Sequence, residues 1–492
     1  MEGLRGGVRM KFPSNFLFGY SWSGFQFEMG LPGSEVESDW WAWVHDKENI
    51  FSGLVSGDLP ENGPAYWHLY KKDHDIAESL GMDAIRGGIE WARIFPKPTF
   101  DVKVDVEKDE NGNIISIDVP ESAIEELEKL ANMDALNHYR EIYSDWKERG
   151  KTFILNLYHW PLPLWLHDPI GVRKLGPDRA PSGWLDERSV VEFTKFAAFI
   201  AYHLDDLVDM WSTMNEPNVV YEQGYTRPQS GFPPGYLSHE AAGKAKLNLM
   251  QAHARAYDAI KEHSDKPVGL IYSFVWHDAL NEEAEEIVKE IRRRHYDFVT
   301  GLHSGSSEFG EREDFKGKID WIGVNYYTRV AYEMRNGRFM ALPGYGYMCE
   351  RSGYAKSGRP ASDFGWETYP EGLENVLMDL KELYGLPMMV TENGMADMAD
   401  RHRSYYLVSH LAAIHRAMEK GADVRGYLHW SLTDNYEWAQ GFRMRFGLVM
   451  VDFETKKRYI RPSALVFREI ATQKEIPEEL SHLANLELVT KK

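Results

Sequence analysis

The sequence predicts a closed (β/α)₈ barrel, and three observations carry that reading. Short apolar runs recur from residue 16 to residue 432, and nearly all are separated by segments of helical periodicity. Strict alternation of strands and helices implies a parallel sheet. Eight such units fill 492 residues in the manner of an α/β barrel that runs long as one unit. Most of the runs also end on polar or aromatic residues, where barrels carry their active groups. An open doubly wound sheet is the alternative, but no Gly-rich phosphate fingerprint follows the first run.

The first run, 16–24, leads into Phe25-Gln26-Phe27-Glu28. A Trp-bearing loop with Gly and Pro covers 31–64. A helix over 66–80 ends at Gly81. The second strand, 84–91, contains Arg86 and Glu90, and an Arg inside an apolar strand requires a nearby anion. Residues 99–122 alternate apolar and charged around Asn111-Gly112, which predicts a hairpin inserted on a loop. A helix over 132–149 precedes the third strand, 152–158, which closes on His159-Trp160-Pro161. The helix 189–204 precedes the fourth strand, 210–214, which closes on Asn215-Glu216-Pro217.

The second half repeats the pattern. A helix over 239–262 is followed by a strand over 268–275, then a charged helix over 282–300. The strand 320–324 closes on Asn325-Tyr326-Tyr327, and a helix covers 371–384. Met388-Met389-Val390-Thr391-Glu392-Asn393-Gly394 reads as a buried strand stopped by an Asn-Gly turn. A helix over 402–420 and a strand over 425–429 bring the chain to Trp430-Ser431-Leu432, and a last helix starts near Pro462. The domain reading is one barrel over 1–492, with an N-terminal extension over 1–11 and the hairpin insertion over 99–122. Met10-Lys11-Phe12-Pro13 resembles a true start, with Met1 as the other possibility.

Composition excludes several classes of function. The net charge of −20 disfavours nucleic acid and anionic membranes as partners. The lone cysteine, Cys349, forbids an intramolecular disulfide, and residues 1–10 lack the apolar core of a signal peptide. No apolar run spans a bilayer. These features predict a cytoplasmic protein. His159 and His429 stand alone on their strands, so no metal and no other cofactor is expected, and chelators should not affect the protein.

Two carboxyls, Glu216 and Glu392, close short buried strands, the fourth and the seventh, on facing sides of a barrel mouth. A carboxylate at the end of a buried strand is costly unless it is used or compensated. Two facing carboxyls are the minimum for glycoside hydrolysis, one protonated to help the leaving oxygen and one ionised. Arg86 can hold Glu392 ionised and Tyr327 can donate to it. Apolar Met214 and Pro217 beside Glu216 should raise its pKa. Each residue alone has a bland reading as a cap, an ion-pair partner or core. Their joint placement at successive strand ends argues for a site.

These residues resemble glycoside hydrolase family 1, the retaining β-glycosidases, and most of all its archaeal hyperthermophilic β-glucosidase/β-galactosidase branch. The carrying motifs are Thr213-Met214-Asn215-Glu216-Pro217, Thr391-Glu392-Asn393-Gly394 and Trp430-Ser431-Leu432-Thr433-Asp434-Asn435-Tyr436-Glu437-Trp438. The resemblance implies that Glu392 is the nucleophile and Glu216 the acid/base. It assigns Arg86, Tyr327 and Asn325 to support, and Asn215 to the sugar 2-hydroxyl. It assigns Gln26, His159, Glu437 and Trp438 to the remaining hydroxyls, Trp430 to the platform under the ring and Trp366 to the aglycone side. Glu437 implies unphosphorylated substrates and tolerance of both gluco and galacto sugars, because one carboxylate can bridge the 4- and 6-hydroxyls. A homotetramer is implied in the same way. Ile89-Glu90-Trp91 departs from the common bacterial and plant pattern, which has Ser before the Trp.

The expected function is therefore a thermostable retaining exo-β-glycosidase acting on β-glucosides, β-galactosides and short β-linked oligosaccharides. The alternatives are a β-mannosidase of the same branch and a carbohydrate-binding protein on an inactive barrel.

Overall fold

The computed structural model describes residues 9–484. Eight strands form the barrel: β1 (Leu17–Ser21), β2 (Ala84–Gly88), β3 (Thr152–Tyr158), β4 (Met210–Asn215), β5 (Val268–Ala279), β6 (Ile322–Arg335), β7 (Met388–Glu392) and β8 (Val424–His429). Each is followed by one long helix: α1 (Tyr66–Ser79), α2 (Met133–Glu148), α3 (Arg188–Leu204), α4 (His239–Lys261), α5 (Glu282–Ser304), α6 (Pro370–Tyr384), α7 (Arg403–Glu419) and α8 (Pro462–Gln473). Neighbouring strands pair in parallel around the ring, and β5 pairs with β6 to close it.

The barrel interior separates into two layers. Leu17, Ala84, Ile154, Met210, Ile271, Trp321, Met389 and Leu428 form an apolar plug, one residue from each strand or its approach. Above the plug the inward positions turn polar: Arg86, Asn156, Ser212, Asn325 and Glu392 are all buried. A packed lower layer with polar strand ends above it is how a barrel supports a site on its C-terminal rim.

The structure departs from the sequence reading in three places. Strands β5 and β6 run well past the rim as a pair, with Tyr332 opposite Ala279. Beyond them β6 turns back into the antiparallel strand Arg338–Ala341. Asn336 (φ 51) and Gly337 (φ 72) make that turn with Arg335 opposite Arg338, which is a two-residue hairpin of left-handed residues. Second, the loop over 31–64 contains the helices Asp39–His45 and Lys47–Phe51, and Glu121–Leu130 is a further helix. Third, the expected N-terminal extension shortens, because Met10–Lys11 pairs antiparallel with Glu475–Ile476 and so joins the folded body. Residues 1–8 of that expected extension lie outside the described residues. The hairpin within 99–122 is present, with Asp105–Lys108 paired to Ile114–Asp118. Among the described residues no helix is long and apolar enough to cross a membrane.

The ends of β7 and β8 are drawn together at Gly394. A Cβ there would lie 1.8 Å from the carbonyl oxygen of Trp430, while Trp430 N donates to Asn393 O at 2.9 Å. Gly394→Ala should therefore destabilise the chain by about 3 kcal/mol and displace the Trp430 rim. Guanidinium unfolding with parallel activity assays checks this; an unchanged midpoint would remove the close approach as a constraint.

Candidate active site

Arg86 is the centre of the polar layer. Its guanidinium is buried, and Nη2 donates to Glu392 Oε1 at 2.6 Å and to Asn215 Oδ1 at 2.9 Å. The second oxygen of Glu392 accepts from Tyr327 Oη at 2.7 Å. Asn325 Nδ2 donates to Glu216 Oε1 at 2.9 Å and to Asn215 Oδ1 at 3.0 Å. Asn325 Oδ1 in turn accepts from Thr391 Oγ1 at 2.7 Å, which fixes the direction of the amide. One continuous network thus joins the ends of β2, β4, β6 and β7.

His159 shares this network. Its Nδ1 lies 3.2 Å from Arg86 Nη1 and its Nε2 3.2 Å from Asn215 Nδ2. A neutral imidazole has one lone pair, so it accepts from only one of these donors. The charged guanidinium has the stronger claim. Asn215 Nδ2 carries two hydrogens and meets His159 with at most one, so an N–H is left for another acceptor. Burial, with Arg86 beside it, holds the His159 pKa well below the ordinary value, so the ring is neutral.

The two carboxyls differ in their surroundings. Burial and the charge of Glu392 push Glu216 up to about 8. Burial also raises Glu392, but Arg86 and the Tyr327 hydroxyl oppose it. The first proton to leave the pair is therefore that of Glu392, stabilised by a cation and two hydrogen bonds. Tyr327 keeps its proton, because burial and the Glu392 charge raise it well above its usual value. Glu216 sits at φ 49, ψ 58, a left-handed conformation that is strained for a side-chain-bearing residue.

A second group lies toward β8. Gln26 Nε2 is 3.0 Å from Tyr436 O, 3.2 Å from Asn435 Oδ1 and 3.4 Å from Glu437 Oε2. Burial, then the charges of Glu392 and Glu216, lift Glu437 to about 8, so near neutrality it is mostly a carboxylic acid able to donate and accept. That corrects the sequence picture of Glu437 as a charged group. The Trp438 ring lies 5.9 Å from His159 and stacks on Phe25 at 5.4 Å. Trp430 sits edge-on to Phe27 at 5.4 Å and stacks 6.1 Å from His159. Trp366 is half-buried against Tyr327 at 5.4 Å, so it reaches the network from its outer side.

All twelve residues singled out in the sequence come together at this rim. Three others were missed. Thr391 orients Asn325, and Asn435 accepts from Gln26. Trp160 Nε1 donates to Asn215 O at 3.0 Å. Thr391 and Asn435 lie inside the quoted motifs, and Trp160 follows His159, so position beside a strand end was the available signal. Among the described residues no group of three His, Cys, Asp or Glu could hold a metal ion.

The model of glycosyl hydrolase family 1 matches residues 8–104, 127–306 and 303–476. The chain belongs to glycosyl hydrolase family 1. The internal stretch left unmatched, 105–126, holds the hairpin, which is tied to α4 by the bond from Ile114 N to Gln251 Oε1 at 2.9 Å. A family member from Saccharolobus solfataricus, a β-galactosidase, is 54% identical over 96% of this chain and 97% of its own length. The crystal structure of a hyperthermophilic β-glucosidase from Pyrococcus furiosus shares 78% identity at a TM-score of 0.94, covering 98% of this chain and all of the other. The β-glycosidase of Thermosphaera aggregans shares 60% identity at a TM-score of 0.95, over 97% of this chain and all of that one. The protein is accordingly a retaining β-glycosidase of this family, with a (β/α)₈ barrel fold.

Burial of Glu216 has a stability signature. Its native proton is held to about pH 8, whereas an ordinary Glu releases it near 4.5. Between those values the native state binds the extra proton, so this group lowers stability as pH rises through the window. Glu216→Gln should raise Tm, slightly at pH 4 and increasingly toward pH 8. Calorimetry across that range tests the sign; a gain largest at acid pH would contradict the burial argument.

Proposed function

We propose that Glu392 is the nucleophile and Glu216 the acid/base of a double displacement on β-glucosides, β-galactosides and short β-linked oligosaccharides. The observation that carries the assignment is the unequal setting of the two carboxyls. Glu392 has a guanidinium at 2.6 Å and a phenol at 2.7 Å, while Glu216 has a neutral amide at 2.9 Å. The ionised group attacks the anomeric carbon, and the protonated one gives its proton to the leaving oxygen. Glu216 then takes a proton from water as water displaces the sugar from Glu392. Asn215, with its spare N–H, is the donor for the 2-hydroxyl, a contact that strengthens in the transition state.

Gln26, His159, Glu437 and Trp438 serve the other hydroxyls, Trp430 the ring face and Trp366 the aglycone. With Glu392 ionised against the Arg86 guanidinium and Glu216 and Glu437 mostly protonated, the cleft has no surplus cation to hold a phosphate, which supports unphosphorylated sugars over sugar phosphates. The β-galactosidase and β-glucosidase relatives favour the gluco/galacto reading over a β-mannosidase. The hyperthermophilic relative at 78% identity supports a thermostable enzyme, and another structure at 78% identity is of a β-glucosidase mutant derived from a hyperthermophilic tetrameric structure, which supports a homotetramer here. A cytoplasmic location accords with the lone cysteine. The domain reading is one catalytic unit, with the hairpin as an insertion.

Azide separates the two roles. Glu392→Gly should cost at least roughly 10³-fold in kcat, about 4 kcal/mol of barrier, with azide giving the inverted glycosyl azide from an activated substrate. Glu216→Ala with azide should give the retained product. The opposite pattern would exchange the roles, and full activity of Glu392→Gly would end the assignment. In the wild type, kcat/KM should fall as pH rises through about 8, where Glu216 loses its proton; a pH–rate profile with no such limb would count against Glu216 as the acid.

A further inference from the structure

The helix Gly24–Phe27 carries Gln26, and its first turn is capped from a distance. Ser23 occupies the N-cap position but makes no side-chain cap. Its Oγ donates instead to Gln26 Oε1 at 2.8 Å. That bond turns the amide so that Nε2 points toward Asn435, Tyr436 and Glu437. The backbone donor that Ser23 leaves unserved is taken by Glu90, whose Oε1 accepts from Phe25 N at 2.9 Å.

Glu90 is held in turn by a buried cluster. Its own N–H donates to Tyr139 Oη at 3.0 Å, and Tyr139 Oη donates to Glu28 Oε1 at 2.6 Å. Arg93 Nη2 pairs with Glu28 Oε2 at 2.9 Å. Glu28 directly follows the helix, so the cluster grips both of its ends. Only glycine fits between them: a Cβ on Gly24 would lie 2.4 Å from Glu90 Cγ and 2.9 Å from Glu28 Oε1. Burial and the neighbouring Glu28 charge raise the Glu90 pKa well above the ordinary range, so it serves as a neutral acceptor.

We infer that Glu90 is a positioning residue for sugar binding, which orients Gln26 by accepting the amide hydrogen of Phe25. Nothing in the catalytic pair requires a carboxyl at this place, and its hydrogen bond is to the helix backbone. The inference rests on the reading of Gln26 as a sugar ligand.

Steady-state kinetics on nitrophenyl β-glucoside test it. Glu90→Met keeps the volume and removes the acceptor. It should lower kcat/KM roughly tenfold, mostly through KM, the loss of about one neutral hydrogen bond. Glu90→Gln keeps an acceptor oxygen and should stay within about twofold of wild type. Most of the Glu90→Met effect should vanish in a Gln26→Ala background, because both changes remove the same contact. If Glu90→Met does not fold, Gly24→Ala, which displaces Glu90, should give the same rise in KM and the same dependence on Gln26. Multiplying effects, a loss of Tm with unchanged kcat/KM, or a Glu90→Gln as impaired as Glu90→Met would each overturn the inference. A Gln26→Ala with unchanged KM would instead overturn the reading of Gln26 as a sugar ligand, and the inference with it.

Discussion

The buried charge of Arg86 is the constraint on which the site depends. A guanidinium without solvent is costly unless its donors are matched. Glu392 supplies the counter-charge, Asn215 an oxygen and His159 a lone pair. Those three partners come from β7, β4 and the turn after β3, so one cation ties together separate parts of the ring. The same cation selects which carboxyl ionises first. Glu392 has the cation; Glu216, whose partner is the Asn325 amide, keeps its proton.

The rim carries features that a stability-driven design would avoid. Glu216 is held in a left-handed conformation, and burial keeps it and Glu437 protonated far above the ordinary range. Glu216, Glu392 and Glu437 lie close enough in one cleft for the charge of Glu392 to raise the other two. The apolar plug of one residue per strand supplies the rigid base on which such an arrangement can be held. Strain and desolvation concentrated above a well-packed layer accord with catalysis by fixed polar groups rather than by moving ones.

Much of this was legible in one dimension because barrel strands are short and buried on both faces. Thr152–Tyr158 and Met388–Glu392 stand in the structure where the apolar runs put them. The polar residue that ends such a run must point somewhere, and in a barrel it points at the shared rim. The protruding ends of β5 and β6 were less legible. Their alternation of buried and half-exposed positions arises from pairing beyond the barrel, and the Asn336-Gly337 turn that ends β6 is a signal the sequence reading leaves unused. The helix Glu121–Leu130 overlaps the expected hairpin only at 121–122, and the sequence reading assigns no element to the rest of it.

The sequence by itself determined the order of strands and helices, the two carboxyls and the aromatic and amide groups around them. These are properties of residue type and spacing, which the chain carries before it folds. Only the tertiary structure decided which side chains bond each carboxyl, and that burial leaves Glu437 mostly uncharged near neutrality. It also decided that Glu90, in the sequence only a departure from the common pattern before Trp91, accepts from the backbone of the helix that carries Gln26. Desolvation and hydrogen-bond direction depend on neighbours tens or hundreds of residues away, and no local pattern encodes them.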